Sequence, residues 1–212
     1  MAKISNVNYE KFLKEGVITT LSELDIIKAM NNIKGRYDKE ARALVATLYY
    51  TGGRPVEVLD VKAKDVTRES HYIIIRLRGA KGGLPRPIYL SIRNAYVKEI
   101  YDLAKSLFGE IYLFYHYRGK YSRHTVNKKG EPQNYIEISY KLRYHFKRWF
   151  DNVIEGGINP YYLRHNRFSK LAEKGATMEQ IRLIKGAKSF NSITPYIHLS
   201  TRGAKQISKI ND

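Results

Sequence analysis

The stretch that begins at Pro160 constrains this chain more than any other. Arg164, Phe168, Leu171 and Ala172 follow it at i, i+4, i+7 and i+8, the spacing of one face of a helix. An arginine therefore lies on an apolar stripe. A guanidinium turned toward a core is costly unless an anion meets it, so the fold must bring a carboxylate or a bound anion to this helix. Glu57 is one acid that can serve as a structural partner.

Other local signals set an alternation of helices and strands. Thr20 or Ser22 caps a helix through Ile26, Ile27 and Met30. A second helix fits Lys39 to Tyr50, with Leu44, Val45 and Leu48 on one face, and Thr51-Gly52-Gly53 stops it. Pro55 suits a first helical position, which leaves Arg54 at a helix entrance. His71 to Arg78 and Arg86 to Ser91 read as strands, Ile73, Ile75 and Leu77 alternating on one face, and Gly79 to Pro85 forms a glycine-rich, basic hairpin tip. Helical patterns return from Asn94 to Phe108 and from Tyr135 to Phe150, separated by a polar loop around residues 116–133 that is a candidate DNA-facing segment. Gly175 ends the Pro160 helix. Thr177 and Gln180 have capping-box spacing for a helix that buries Met178, Ile181 and Ile184 and stops at Gly186, and a last short helix holds Tyr196.

Charge narrows the class of partner. Lys and Arg number 38 against 20 Asp and Glu, a net charge of +18, so a polyanion is expected. The longest apolar run, Tyr72-Ile73-Ile74-Ile75, is strand-sized, and MAKISNVNYEK has no signal-peptide core, so nucleic acid is favoured over membrane and the expected setting is intracellular. Without cysteine, disulfides, Cys-rich zinc sites and thiol nucleophiles are excluded. No repeat or linker divides the 212 residues, which suits one main globular unit.

Three segments resemble, in order and spacing, the signature boxes of the tyrosine recombinase (phage integrase) family. Thr51-Gly52-Gly53-Arg54-Pro55-Val56-Glu57-Val58-Leu59 is similar to T-G-x-R-x-x-E-L-L, and Tyr161-Tyr162-Leu163-Arg164-His165 to H-x-x-R-H. Gly186-Ala187, followed ten positions after the glycine by Tyr196-Ile197-His198-Leu199-Ser200, is similar to L-G-H and its Y-x-H-x-S segment. Ala80-Lys81-Gly82-Gly83 resembles the family's G-K-G-N hairpin.

The resemblance implies an α+β fold, mainly helical with a small antiparallel sheet or hairpin, and a catalytic domain over residues 20–203 between a lead-in (1–19) and a tail (204–212). It implies a site-specific recombinase, or integrase, that cuts and rejoins DNA through a 3′-phosphotyrosine bond at Tyr196. Arg54 and Arg164 would grip the phosphate, where bidentate guanidinium groups neutralise charge gathering on the nonbridging oxygens. Tyr161 would hydrogen-bond a phosphate oxygen, and Lys81 would protonate the leaving 5′-oxygen, with Arg86 and Lys62 as alternatives. Glu57, His165 and Lys188 would support the site, and Lys62, Arg86, Arg118 and Arg123 would contact DNA. Double-stranded DNA is the implied partner, with self-association into a tetramer on it, in the cytoplasm at the nucleoid. No cofactor or metal is implied.

The sequence departs from the family at Tyr161 and Ala187, where histidines are usual. Tyrosine at the first place resembles a subgroup of archaeal plasmid and virus integrases. It offers a hydroxyl but no imidazole base, and Lys185, Lys188 or His198 are the substitutes available near Ala187. Tyr162 is a rival nucleophile. The family's separate N-terminal core-binding domain has fewer than twenty residues to occupy here, which leaves an excised catalytic domain or a short protein as alternatives. Two further readings stay open: a DNA-binding module of the same fold that has lost catalysis, and a type IB topoisomerase-like activity that relaxes supercoils.

Overall fold

A computed structural model describes residues 21–80, 82–118, 121–126, 132–136 and 140–196. Helix α1 (Glu23–Asn31) begins at Ser22, whose Oγ accepts from the Asp25 amide while the Asp25 carboxylate accepts from the Ser22 amide at 2.9 Å. This reciprocal cap satisfies donors that a helix start leaves open. Helix α2 (Asp38–Thr51) is the centre of the molecule, buried on all sides from Ala43 to Thr51. Its polar residues fit there because the Thr47 and Thr51 hydroxyls donate to the carbonyls of Ala43 and Thr47 at 2.7 and 2.6 Å. A left-handed Gly52 (φ 60°) ends it, and α3 (Pro55–Leu59) starts at once.

A 3-10 turn (Ala63–Asp65) leads into an antiparallel three-stranded sheet, in order β1 (Val66–Glu69), β2 (Tyr72–Leu77) and β3 (Arg86–Ser91). The hairpin expected from sequence therefore gains an edge strand. In β3 the odd and even positions part cleanly: Arg86, Ile88 and Leu90 face inward while Pro87, Tyr89 and Ser91 face out. Register pairs Ile73 with Leu90, Ile75 with Ile88 and Leu77 with Arg86, so an arginine lies on the sheet's core face.

Helix α4 (Ala95–Lys105), capped by Asn94 Oδ1 on the Tyr96 and Val97 amides, packs on α2. The polar segment expected as a loop holds instead a strand pair, β4 (Tyr121–Val126) with β5 (Pro132–Ile136). Aromatic and β-branched residues suit that pairing, and Pro132 sits at a strand's first position, where its missing N–H costs least. As a result α5 (Tyr140–Phe150) starts five residues later than the helical pattern alone suggests. Helices α6 (Pro160–Glu173) and α7 (Met178–Lys185) and a 3-10 turn (Thr194–Tyr196) complete the described chain.

Most buried side chains form one core around α2. A second, smaller cluster of Phe168, Ala172, Ile181, Ala187, Ile193 and Tyr196 lies where α6, α7 and the final turn meet. The catalytic candidates fall at the seam between the two. Among the described residues, no helix is long and apolar enough to cross a membrane.

Candidate active site

Glu57 is the hub. It is 1% exposed, yet both carboxylate oxygens are fully engaged. Oε2 accepts from the Arg54 amide at 2.9 Å and from Arg86 Nη2 at 3.0 Å, and Oε1 accepts from Arg54 Nη1 at 2.9 Å and the Ala80 amide at 3.3 Å. Arg164 Nη1 stands 3.9 Å from Oε2. Burial pushes the Glu57 pKa up, but the Arg86 bond and charge, the Arg54 amide and Arg164 outweigh it, so the carboxyl stays below its usual range and ionised.

Each arginine reaches this hub for a local reason. The turn at Gly52 and Gly53 delivers Arg54 to the N-cap of α3 in extended backbone, three residues ahead of Glu57. Its side chain is 23% exposed and also donates to the Ala80 carbonyl at 3.3 Å. Arg164, 4% exposed, is aimed by two carbonyls: Nη1 donates to Gly52 O at 2.5 Å and Nη2 to Lys185 O at 3.0 Å. Its guanidinium carbon lies 5.0 Å from the Phe168 ring centre. Burial, then Arg54, pushes Arg164 down to about 9, which still leaves it charged at neutral pH. The ion pair that the apolar stripe required is thus present, and it is shared. Three guanidinium groups gather on one carboxylate, which leaves excess positive charge beside the partly open Arg54.

The nucleophile candidate is adjacent. Tyr196 is 1% exposed, its ring edge-on to Phe168 at 5.9 Å between centres. Its hydroxyl lies 3.0 Å from His165 Nδ1. The Lys185 ammonium is 4.9 Å from the Tyr196 ring centre and donates to the Ser192 carbonyl. Burial holds the His165 imidazole down at about 4, with Lys185 and Arg164 adding to the effect, so it is neutral at pH 7. Tyr161, in the first turn of α6, is half-buried; burial raises its phenol while Arg54 and Arg164 oppose the rise, which places it within the arginine field.

Several expected site residues sit elsewhere. Arg86 is turned inward: it is 8% exposed and donates to Ile184 O at 2.6 Å, Leu84 O at 3.2 Å and Glu57. Lys62 donates to Glu110 at 2.8 Å and lies over Tyr112. The Arg118 guanidinium carbon lies 3.5 Å from the Tyr112 ring centre, and its Nη2 reaches Asp60 at 3.4 Å. Tyr162 is buried in the main core, its phenol pushed up to about 12 by burial, whereas Tyr196 belongs to the smaller cluster. Lys188 is exposed past Ala187, which is itself buried in the small cluster. Lys81, His198 and the Arg123 side chain lie outside the described residues. The chain flanking Lys81 is nevertheless tied to the site through Ala80, which both donates to Glu57 and accepts from Arg54. Among the described residues, no group of three or more His, Cys, Asp or Glu side chains is placed to hold a metal ion.

The profile of the phage integrase family matches residues 18–202. The chain belongs to that family. Tyrosine recombinase XerC of Treponema denticola is 24% identical over 184 residues, covering 79% of this chain and 54% of the relative. Tyrosine recombinase XerA of Pyrococcus furiosus is 25% identical over 173 residues, covering 78% and 52%. The integrase-family chain described here thus spans about half the length of these curated relatives. Its fold is similar to the crystal structure of XerA recombinase, with a TM-score of 0.63 at 20% identity over 92% of this chain and 65% of that one. A crystal structure of XerH site-specific recombinase bound to palindromic difH substrate, a post-cleavage complex, gives the same TM-score of 0.63 at 20% identity, over 91% and 53%. These likenesses give the α+β fold of the integrase catalytic unit.

Within that integrase fold, sequence reasoning placed three side chains incompletely. The inward direction of Arg86 was available in the alternation with Ile88 and Leu90. The Lys185 ammonium under Tyr196 and the His165 contact depend on how residues 187–193 turn back, for which the sequence carries no periodic signal.

Proposed function

We propose that this chain is the catalytic part of a site-specific DNA recombinase that cleaves and rejoins duplex DNA through a 3′-phosphotyrosine bond at Tyr196. The observation that carries the reading is the charge imbalance at Glu57, where three guanidinium groups meet one carboxylate within reach of a tyrosine turn. Such a cluster is built to receive one more anion, and a phosphodiester supplies it.

The steps follow from the geometry. Arg54, the most open of the three, meets the phosphate first; Arg164, held by two carbonyls, meets it in a set orientation that requires no reorganisation as charge develops. Tyr161 adds a hydroxyl donor. Tyr196 attacks phosphorus, and Lys81, from the hairpin anchored at Ala80, protonates the departing 5′-oxygen. The phosphotyrosine bond conserves the energy of the broken linkage, so a 5′-hydroxyl reseals the strand without a cofactor. Because Tyr196 is buried, its turn must shift as DNA binds. Double-stranded DNA is the proposed partner, with four copies assembling on it, in the cytoplasm at the nucleoid.

One observation favours a second reading, a DNA-binding module of this fold without cleavage. Ala187, at the place of the family's histidine, is packed in the small cluster and offers no hydrogen bond. Covalent capture separates the two. The protein is mixed with a pool of nicked duplexes of random sequence, denatured, and adducts are isolated; their DNA is sequenced to define a substrate. A denaturation-resistant adduct in the wild-type chain that is absent from Tyr196→Phe supports the recombinase reading. Binding without adduct supports the second, and relaxation of a plasmid lacking that sequence points to a topoisomerase.

A further inference from the structure

We infer that His165 is a catalytic base for this chain, taking the phenolic proton of Tyr196 at Nδ1 as the tyrosine oxygen attacks phosphorus, with Lys185 as the positioning residue that holds the pair. The inference rests on the reading of Tyr196 as nucleophile.

A phenol loses its proton at a pH of about 10, so roughly one in a thousand is ionised at pH 7. Cations favour the phenolate but do not carry the proton away. Of the other histidines whose side chains are described, His71 is exposed in the turn between β1 and β2, His116 Nδ1 is 2.6 Å from Glu40, and His145 stacks on Trp149. His165 is the one at Tyr196, at 3.0 Å. Its place in α6 explains why it is turned to Tyr196. Arg164 and His165 are consecutive, about 100° apart around the helix, so the first turns to the Gly52 and Lys185 carbonyls while the second turns to the tyrosine.

The charges facing the imidazole favour its neutral form. Lys185 approaches from α7 and Arg164 from the same helix, and both oppose a proton on His165. A neutral imidazole has a lone pair to take the proton as the phenol oxygen bonds to phosphorus; an imidazolium does not. The same Lys185 ammonium lies over the tyrosine ring, where it favours the developing phenolate. Binding of a phosphodiester adds negative charge next to His165 and so makes the proton easier to hold during the step.

The bookkeeping of the step closes. The Tyr196 oxygen forms its bond to phosphorus and its proton moves to His165 Nδ1, while the bond from phosphorus to the 5′-oxygen breaks and that oxygen takes a proton from Lys81. Resealing runs the step in reverse, with His165 returning the proton to Tyr196 as the phosphotyrosine bond breaks.

The test uses the whole chain and the duplex recovered by covalent capture. At pH 7, His165→Gln is expected to form adduct about 10²- to 10⁴-fold more slowly than wild type. The deficit should close about tenfold per pH unit on approach to the phenol's own ionisation, where no base is needed. Free imidazole should restore part of the rate to His165→Ala. Lys185→Met should lower the rate constant at saturating DNA with little change in the DNA concentration needed. A loss that is the same at every pH, or no loss, overturns the inference, and a faster rate makes His165 a latch on Tyr196 instead. A measurement on the unmodified protein guards against a misfolded variant: nitrogen NMR should find the His165 proton on Nε2, with Nδ1 bare. A proton on Nδ1 contradicts the proposal. If wild type forms no adduct while still binding DNA, the recombinase reading itself fails; a wild-type adduct with unaffected His165 variants sinks the base alone.

Discussion

Arg86 Nη2 lies 3.0 Å from Glu57 Oε2, which fastens the core face of β3 to the start of α3 across 29 residues of chain. The same guanidinium reaches Ile184 O at 2.6 Å, so three separate elements converge on one buried side chain. Removing Glu57 leaves buried guanidinium charge uncompensated, and removing Arg86 takes from Glu57 one of its cationic partners and from the Ile184 carbonyl its donor. Arg86→Met and Glu57→Gln are each expected to cost about 3–5 kcal/mol in chemical denaturation. Arg86→Lys should recover little, since an ammonium cannot span the carboxylate and the carbonyl together.

Gly186 is where that clamp meets the turn toward Tyr196. It has φ 65°, and a Cβ there would come 2.5 Å from Arg86 Nη1. Gly186→Ala is therefore expected to lose about 1–2 kcal/mol from left-handed backbone strain alone, with further loss from displacing Arg86. A thermal melt checks this, and the double variant with Arg86→Met should fall short of the sum of the two.

Stability should depend on pH through His165. Burial, Lys185 and Arg164 hold it at about 4 in the native state, against about 6.5 in an unfolded chain. The unfolded chain thus binds a proton that the folded one refuses, so stability falls as pH drops from about 6.5 toward 4. The loss approaches about 3 kcal/mol at the acid end. Glu57 adds a separate loss at lower pH, because its folded pKa is depressed and its contribution disappears only as the carboxylate takes up a proton. Denaturation measured across this range should show the upper arm flattened in His165→Gln and the lower arm kept. An unchanged upper arm in that variant would contradict the assignment.

Local chemistry made much of the fold legible in the sequence. A cap at Thr20 or Ser22, Thr177 with Gln180, and the glycines at 52 and 186 each announce a helix boundary by a donor that needs an acceptor or a backbone that needs a positive φ; the structure uses Ser22 for the first and has each of the others. Strand β1 was not legible, since four residues with one buried side chain have no alternation to read. The strand pair of Tyr121–Val126 with Pro132–Ile136 was hidden by its polar composition. For charged residues the sequence reveals the sign but not the partner. The sequence marks Lys62 and Arg118 as cations, and only the structure shows Glu110 beside the first and Tyr112 beside the second. The contact between His165 and Tyr196 joins residues 31 apart through a turn without pattern, and only three-dimensional packing exposes it.

The two tyrosines of α6 differ enough from Tyr196 to be told apart. Tyr162→Phe removes a hydroxyl from the main core and should leave adduct formation within about threefold of wild type, at a stability cost of about 1 kcal/mol. Tyr161→Phe should slow adduct formation about tenfold or more through loss of a phosphate donor. Rates at saturating DNA distinguish these from binding defects.

The central claim is that Tyr196 becomes joined to DNA. Adduct trapped on the recovered nicked duplex, digested with protease and nuclease, should yield a phosphorylated nucleotide attached to the peptide containing Tyr196, and Tyr196→Phe should yield none while still binding the duplex. A nucleotide attached to any other residue, or an adduct that persists in Tyr196→Phe, would contradict the account.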